Sequence, residues 1–261
     1  MSALDDHALA ADLAARAGHL LLTLRGRGGD PNALRNAGDK QSHEFLMAEL
    51  ARERPNDVVL SEEGIDNKAR LHADRVWIVD PLDGTREFGE PGRSDWAVHV
   101  ALWARAASAG SGDLVAGAVA LPAQDRVLAT EPTPLARDPH PADEDNGPMR
   151  MVVSRTRASN LVQAVAKRLN AELVPCGSAG AKVATVVLGE NDVYLHSGGF
   201  YEWDTAAPVA VARQRGFHVS RIDGSPARYN QEDPLLPDIL VCRPAIAPVL
   251  LDAIREATHA I

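Results

Sequence analysis

Six side chains in this sequence are of the type, and at the spacing, that acid–base or metal chemistry needs. In VWIVDPLDGTREF, Asp80 and Asp83 flank Pro81 and Leu82, and Gly84 and the hydroxyl of Thr85 follow at once. Asp80 ends a run of apolar β-formers, and its neighbours Pro81 and Gly84 are turn residues. A turn of this kind lets two carboxylates and a backbone carbonyl reach one ion, and such oxygen donors suit a hard cation such as Mg²⁺. Glu62 stands at the end of a second apolar run, in DVVLSEEG. Asp204 precedes the small and apolar residues of WDTAAPVAVARQRG, and Asp39 follows Gly38. Each has a plain structural reading as well. The Asp80 segment can be a well-made turn, Glu62 a solvated strand end, and Asp204 (or Thr205) and Asp39 helix N-caps. Spacing alone does not bring them together in space.

The elements that would position these groups can be read from periodicity. Leu9, Leu13, Ala17, Leu20, Leu21 and Leu24 recur at helical spacing behind Asp5 and Asp6, and Gly26, Gly28 and Gly29 end that helix. A second helix is predicted to open near Asp39 and to run through Phe45, Leu46 and Leu50 to Pro55. Strands follow at DVVLSEEG, at RVWIVD (ending on Asp80), at Asp95–Trp103, at Leu114–Pro122 and at RVLAT. Residues 131–148 carry five prolines and few large apolar side chains, which predicts an exposed linker or loop. Beyond it, strand signals (MRMVVS, AELVPC, NDVYLH, FHVS, DILVC) alternate with helices at Asn160–Leu169, Ala179–Leu188 and Thr205–Arg215, the last with Pro208 in its first turn, and a final helix starts near Ala247. The expected fold is α/β: a layered α+β subdomain over residues 1–135 and an α/β subdomain over 149–261, packed with a site between them. The strand ends that carry Asp80 and Glu62 are where α/β sheets bind ligands.

The chain has 261 residues, a net charge of −9, 45% hydrophobic and 24% charged residues. That is the composition of a globular protein, and its charge repels nucleic-acid polymers. Cys176 and Cys242 do not form a disulfide framework and suggest a reducing compartment. The acidic start lacks the basic region of a signal peptide, and no apolar run is long enough to span a membrane, so a cytoplasmic location is expected.

WIVDPLDGTREF followed later by WDTAA resembles the inositol monophosphatase superfamily of metal-dependent, lithium-sensitive phosphatases. LSEEG stands where that family has a glutamate-bearing strand end, and GDKQSHEFL where it has an aspartate opening a helix. CGSAGAKVATVVLGENDVYLH is similar to its glycine-serine turn and the helix and strand after it, so the resemblance runs from about Ala33 to Arg243. Within the superfamily, LSEE, VDPLDGTREF, EWDTAA and RYNQEDPLLPD are most similar to the CysQ-type 3′(2′),5′-bisphosphate nucleotidases. The chain departs from the superfamily's wording in SDWAVH (Ser94–His99) and in VSRTRAS after the linker, where substrate selection is expected.

The resemblance implies an αβαβα sandwich like that of inositol monophosphatase and fructose-1,6-bisphosphatase. It implies hydrolysis of the 3′-phosphate of 3′-phosphoadenosine 5′-phosphate, a by-product of sulfate assimilation, by metal-activated water. Two or three Mg²⁺ ions are implied: one held by Glu62, Asp80 and the Leu82 carbonyl, one by Asp80, Asp83 and Asp204, and a third by Glu62 and, through water, Asp39. Thr85 would take the proton of the attacking water and pass its own to Asp39. The N–H groups of Gly84 and Thr85 suit the phosphate, as do Gly177 and Ser178 before a helix. Ser154 and the arginines Arg86, Arg155 and Arg157 are candidates for further substrate contacts, the arginines for a second phosphate. Tyr201 and Trp203 could flank an adenine ring or pack in the core, and His43 and His99 read as structural. The family usually forms homodimers. The same scaffold admits inositol phosphates or fructose 1,6-bisphosphate as substrates, and a non-catalytic sensor of a phosphorylated ligand is the reading from another class. Haloacid dehalogenase chemistry is disfavoured, because its paired aspartates lie two apart, whereas Asp80 and Asp83 lie three apart.

Overall fold

A computed structural model describes residues 4–106, 112–133, 147–156 and 158–260. Most of the expected linker at 131–148, and Arg157, lie outside the described residues. Helix α1 (Asp6–Gly26) is capped by Asp5, whose side chain accepts from the Ala8 N–H at 2.8 Å, and its Leu9, Leu13, Ala17, Leu21 and Leu24 are buried on one face. Helix α2 (Pro31–Glu53) opens well before the predicted Asp39. Its N-cap is Asp30 and Pro31 sits in its first turn, so Asp39 lies inside the helix and caps nothing. Gly38 misled the sequence reading. A Cβ there would lie 2.9 Å from both Leu82 Cδ2 and Phe88 Cε1, so this glycine serves close packing rather than a helix boundary.

Strands β1 (Val58–Ser61), β2 (Arg75–Asp83), β3 (Ala97–Arg105), β4 (Gly112–Leu121) and β5 (Arg126–Ala129) form one sheet in that order, and the short helix α3 (Thr85–Gly89) follows β2. β1 and β2 are parallel and the other pairs antiparallel. β2 was expected to stop at Asp80, but it continues to Asp83. Asp80 lies opposite His99 and Asp83 opposite Ala97, so β2 carries one more residue than β3 across this interval. Pro81 has no N–H for the ladder, and the extra residue is accommodated as a bulge.

The second half forms a sheet of order β7-β6-β8-β10-β9, from β6 (Arg150–Ser154), β7 (Glu172–Cys176), β8 (Val193–Tyr201), β9 (His218–Ser220) and β10 (Leu235–Cys242). β7, β6 and β8 are parallel, and β10 pairs antiparallel with both β8 and β9. Helices α4 (Asn160–Leu169) and α5 (Ala179–Val187) fall where the sequence placed them. α6 (Glu202–Gln214) starts before Thr205, because β8 runs straight into it through Tyr201. Neither Asp204 nor Thr205 is therefore the N-cap, and Pro208 lies in the second turn. Asp204 is the third residue of the helix, and its Oδ2 accepts from the Tyr201 N–H at 2.6 Å, the returning half of a capping box. α7 (Ala247–Ala260) ends the described chain.

The layers are α1 and α2, the first sheet, α5 and α6, the second sheet, then α4 and α7, which is the expected αβαβα sandwich. The central core joins Ile78, Ala101 and Val119 of the first sheet to Val186, Val209 and Ile239 of the second half. β4 and α6 approach closely at Gly117, where a Cβ would sit 2.7 Å from Ala210 Cβ and 3.3 Å from the Ala207 carbonyl. Gly117→Ala is expected to destabilise the protein by about 1–3 kcal/mol through overpacking. A urea titration checks this: the midpoint should fall with the slope unchanged.

Candidate active site

The carboxyl ends of β1 and β2, the start of α3, the amino ends of α5 and α6 and the end of β8 enclose a cavity of about 390 Å³. Glu62, Asp80, Leu82, Asp83, Gly84, Thr85 and Asp204 all line it. The β2 bulge is what makes this possible. Residues three apart in a regular strand face opposite sides of the sheet, and one extra residue returns Asp83 to the side of Asp80.

The aspartates are oriented from behind. Asp80 Oδ1 accepts from the Leu82 N–H at 2.9 Å, and its carboxyl faces that of Glu62 in hydrogen-bond contact. Asp83 Oδ2 accepts from the Gly180 N–H at 2.7 Å and lies 3.2 Å from His99 Nε2. The first turn of α5 thus delivers its N–H and its dipole to a protein carboxylate. Gly180 is required there, because a Cβ would meet His99 Nε2 at 2.0 Å. His99 is wholly buried, and its Nδ1 faces the Trp203 carbonyl at 3.1 Å. Both ring nitrogens therefore face oxygen acceptors, which favours the imidazolium.

Helix α2 fixes the strand ends from the other side. Asp39, Ser42 and His43 lie on one helical face. Asp39 Oδ1 accepts from the Thr85 hydroxyl at 3.2 Å, Ser42 Oγ donates to the Pro81 carbonyl at 2.7 Å, and His43 Nδ1 meets Ser61 Oγ at 2.9 Å. The Thr85 hydroxyl has a competing acceptor in the Leu82 carbonyl at 3.0 Å. Gly84 adopts φ +84°, and a Cβ there would lie 2.9 Å from Ser178 Cβ, so glycine is needed for both conformation and space.

The electrostatics suit a cation. Burial pushes the Asp80 carboxyl far above the usual range, and Glu62, Asp83 and Asp204 push it further. Burial raises Glu62 to about 7, with its contact to Asp80 opposing and Asp204 and Asp83 adding to the rise. Asp39 rises to about 6 through burial and the charge of Glu63, against the Thr85 hydroxyl. Burial would also raise Asp83, but the facing His99 overrides it and holds the carboxylate low. His99 is raised in turn, since Asp83 outweighs its burial. The ligating atoms of Asp80, Asp83 and His99 lie within 4.8 Å of one another. His99 is not a good ligand, however: its Nε2 is turned to Asp83 and backed by Gly180. The carboxylates and the Leu82 carbonyl form an all-oxygen donor set that fits a hard divalent cation.

The remaining candidates divide. Ser154, Arg86, Arg155 and Gly177 line the cavity. Gly177 does not offer its N–H, which is donated to Asp95 Oδ2 at 2.6 Å. Ser178 is corrected: its N–H goes to the Asp95 carbonyl at 3.0 Å, its hydroxyl caps α5 by accepting from the Ala181 N–H, and its side chain is buried. It shapes the turn and does not line the cavity. Tyr201 and Trp203 stack on each other at 4.7 Å with an interplanar angle of 14°, and both line the cavity. The sequence reading missed Asp95, which ties the entry of β3 to the 177–178 turn, and Lys182, which donates to the Gly177 and Ser178 carbonyls over the Tyr194 ring. It also underrated His99. No periodic signal marks these three residues; only their partners across the fold do.

Residues 8–259 match the Inositol monophosphatase family, and the chain belongs to it. It is 50% identical over 260 residues to the 3′-phosphoadenosine 5′-phosphate phosphatase of Mycobacterium leprae, covering 97% of this chain and 94% of that protein. It is 51% identical over 243 residues to the protein of the same name from Mycobacterium tuberculosis, covering 92% and 90%. Among solved structures it is similar to CysQ from Bacteroides thetaiotaomicron, with a TM-score of 0.75 and 29% identity over 90% of this chain and 96% of that one.

Stripping divalent cations should expose the acid cluster. With a folded pKa of about 7 against an ordinary 4.5, Glu62 holds a proton in the folded state that the unfolded chain releases. That contribution is complete below the ordinary value and is lost as the pH rises through the folded one. The melting temperature of EDTA-treated protein is therefore expected to fall between about pH 5 and about pH 8, and MgCl₂ should restore most of the loss. Calorimetry across that range checks it, and a pH-independent melting temperature without metal would overturn the reading.

Proposed function

We propose that the protein hydrolyses the 3′-phosphate of 3′-phosphoadenosine 5′-phosphate with two or three bound Mg²⁺ ions. The observation that carries this is half-identity, across nearly the whole chain, to phosphatases of that name, in a chain whose Glu62, Asp80, Asp83 and Asp204 line one cavity. Glu62, Asp80 and the Leu82 carbonyl would hold one ion, and Asp80, Asp83 and Asp204 another. The third, if bound, would rest on Glu62 and, through water, Asp39. Such cations neutralise the cluster, polarise the phosphoryl oxygens and make water more acidic.

The chain's own groups do the rest. The N–H groups of Gly84 and Thr85 meet the phosphate, and the left-handed Gly84 permits its close approach. Thr85 Oγ1 takes the proton of the attacking water and passes its own to Asp39 Oδ1, 3.2 Å away. Asp39, at about 6, is poised to accept a proton near neutral pH. The water oxygen bonds to phosphorus as the bond to the 3′-oxygen breaks, and that oxygen leaves as the ribose 3′-hydroxyl by taking a proton from a second water molecule in the cavity. Tyr201 and Trp203, stacked at the cavity edge, offer an aromatic surface for the adenine.

Phosphate release from a panel tests the substrate: 3′-phosphoadenosine 5′-phosphate, inositol 1-phosphate and fructose 1,6-bisphosphate, with and without Mg²⁺ and Li⁺. The nucleotide should give the highest kcat/KM, only with Mg²⁺, and Li⁺ should inhibit. A higher kcat/KM for inositol 1-phosphate overturns the assignment. Thr85→Ala should lower kcat by at least about 100-fold while leaving Mg²⁺ affinity, measured by calorimetry, largely intact. Near-normal turnover would remove Thr85 from the mechanism.

A further inference from the structure

A second charged arrangement sits at the wall of the same cavity, and the hydrolytic step does not use it. Arg86 and Glu87 belong to α3, Glu90 follows that helix, and Arg155 comes from the other half of the chain, directly after β6. The two glutamates hold Arg155 differently. Glu87 is buried, and its Oε1 accepts from Arg155 Nε at 3.1 Å and from Nη2 at 2.7 Å. Gly177 packs against it, since a Cβ there would lie 2.5 Å from Glu87 Cγ. Glu87 is thus the buried anchor of Arg155.

Glu90 is shared between two guanidinium groups. Its Oε1 accepts from Arg86 Nε at 3.1 Å and from Arg155 Nη2 at 3.1 Å, and its Oε2 lies 3.0 Å from Arg155 Nη1. Its side chain is 30% exposed, against 9% for Glu87, so it can swing outward while Glu87 keeps Arg155 in place. An anionic group held between two arginine forks is the arrangement in which proteins bind phosphate. Both arginines line the cavity that holds the acid cluster, and Arg86 adjoins Thr85 in sequence.

We propose that Arg86 and Arg155 form the subsite for the second, untransferred phosphate of a bisphosphorylated substrate, and that Glu90 is the resident anion which that phosphate displaces. The proposal rests on the bisphosphonucleotide reading above. With Glu90 in place, two arginines and two glutamates cancel, and the wall carries no net charge. A phosphate brings about two negative charges and three acceptor oxygens where the carboxylate brings one and two. It therefore wins the exchange, whereas a neutral group does not. Because Glu87 orders Arg155 beforehand, little side-chain entropy is lost on binding. Glu90 thus tunes selectivity: a substrate with one phosphate leaves it seated and gains nothing from the arginines.

The test uses the whole Mg²⁺-loaded protein and two readouts. One is the ratio of kcat/KM for 3′-phosphoadenosine 5′-phosphate to that for adenosine 3′-monophosphate, which lacks the second phosphate. The other is calorimetric affinity for adenosine 5′-monophosphate, the product that keeps it. Arg155→Ala should lower the ratio and weaken the product roughly 10- to 100-fold, with Arg155→Lys between it and wild type. Glu90→Ala should do the reverse, raising the ratio and tightening the product roughly 2- to 5-fold. If Glu90→Ala weakens the product or lowers the ratio, Glu90 is a scaffold and the exchange is refuted. If both Arg155 variants leave the ratio at the wild-type value, the subsite is refuted while the substrate reading stands. A wild-type protein with no preference between the two nucleotides would refute the substrate reading itself, and the subsite with it.

Discussion

Four carboxylates, those of Glu62, Asp80, Asp83 and Asp204, converge on one largely buried space, and like charges in such surroundings resist being gathered. Much of the local architecture can be understood as the means of holding them there. Each of the three aspartates accepts one backbone N–H from behind: that of Leu82 for Asp80, that of Gly180 for Asp83 and that of Tyr201 for Asp204. These donors fix the carboxyl groups while leaving further lone pairs directed at the cavity. Asp83 also has a facing cationic side chain, His99, and is held below the usual carboxylate range, whereas Asp80 and Glu62 are pushed above it. The remaining deficit of positive charge is what suits the cavity to a cation.

Backbone irregularity does as much of this positioning as side-chain chemistry. Were β2 regular from Asp80 to Asp83, the two acids would face opposite sides of the sheet. Pro81 prevents a regular ladder at that point, and Ser42 of α2 takes up its carbonyl. Gly84 then turns the chain through a left-handed conformation into α3. Gly38 and Gly180 supply the space, one for α2 against Leu82 and the other for α5 against His99. The two glycines belong to different halves of the chain, yet both serve the β2–α3 corner.

Legibility in the sequence followed the range of the interaction. Elements defined by local periodicity were readable: α1, α4, α5 and the strands of both sheets fall close to where alternation and helical spacing put them. Boundaries set by tertiary packing were not. A buried glycine at 38 looked like the start of a helix, and β8 running into α6 moved Asp204 from the cap into the first turn. The acids that line the cavity could be named because their motifs resemble a known family, whereas periodicity alone left each of them an ordinary turn or cap. His99, Asp95 and Lys182 were invisible as site residues for a further reason. Their importance lies wholly in partners far along the chain, such as Asp83, Gly177 and Ser178.

The cavity therefore contains two opposite solutions to charge. At the acid cluster the chain supplies excess negative charge, which favours an external cation over any internal partner. At Arg86 and Arg155 it supplies positive charge already neutralised by Glu87 and Glu90. The difference matters in a protein of net charge −9, whose substrates are themselves anions. An unpaired arginine pair would hold any passing phosphate or carboxylate. An unneutralised acid cluster would repel the phosphate it must cleave. Pairing the arginines with a partly exposed carboxylate, and leaving the acids for a cation, makes each half of the cavity receptive only when its proper charge arrives. Arg86, one residue after Thr85, places the two halves side by side on α3, so a ligand with two phosphates can engage both.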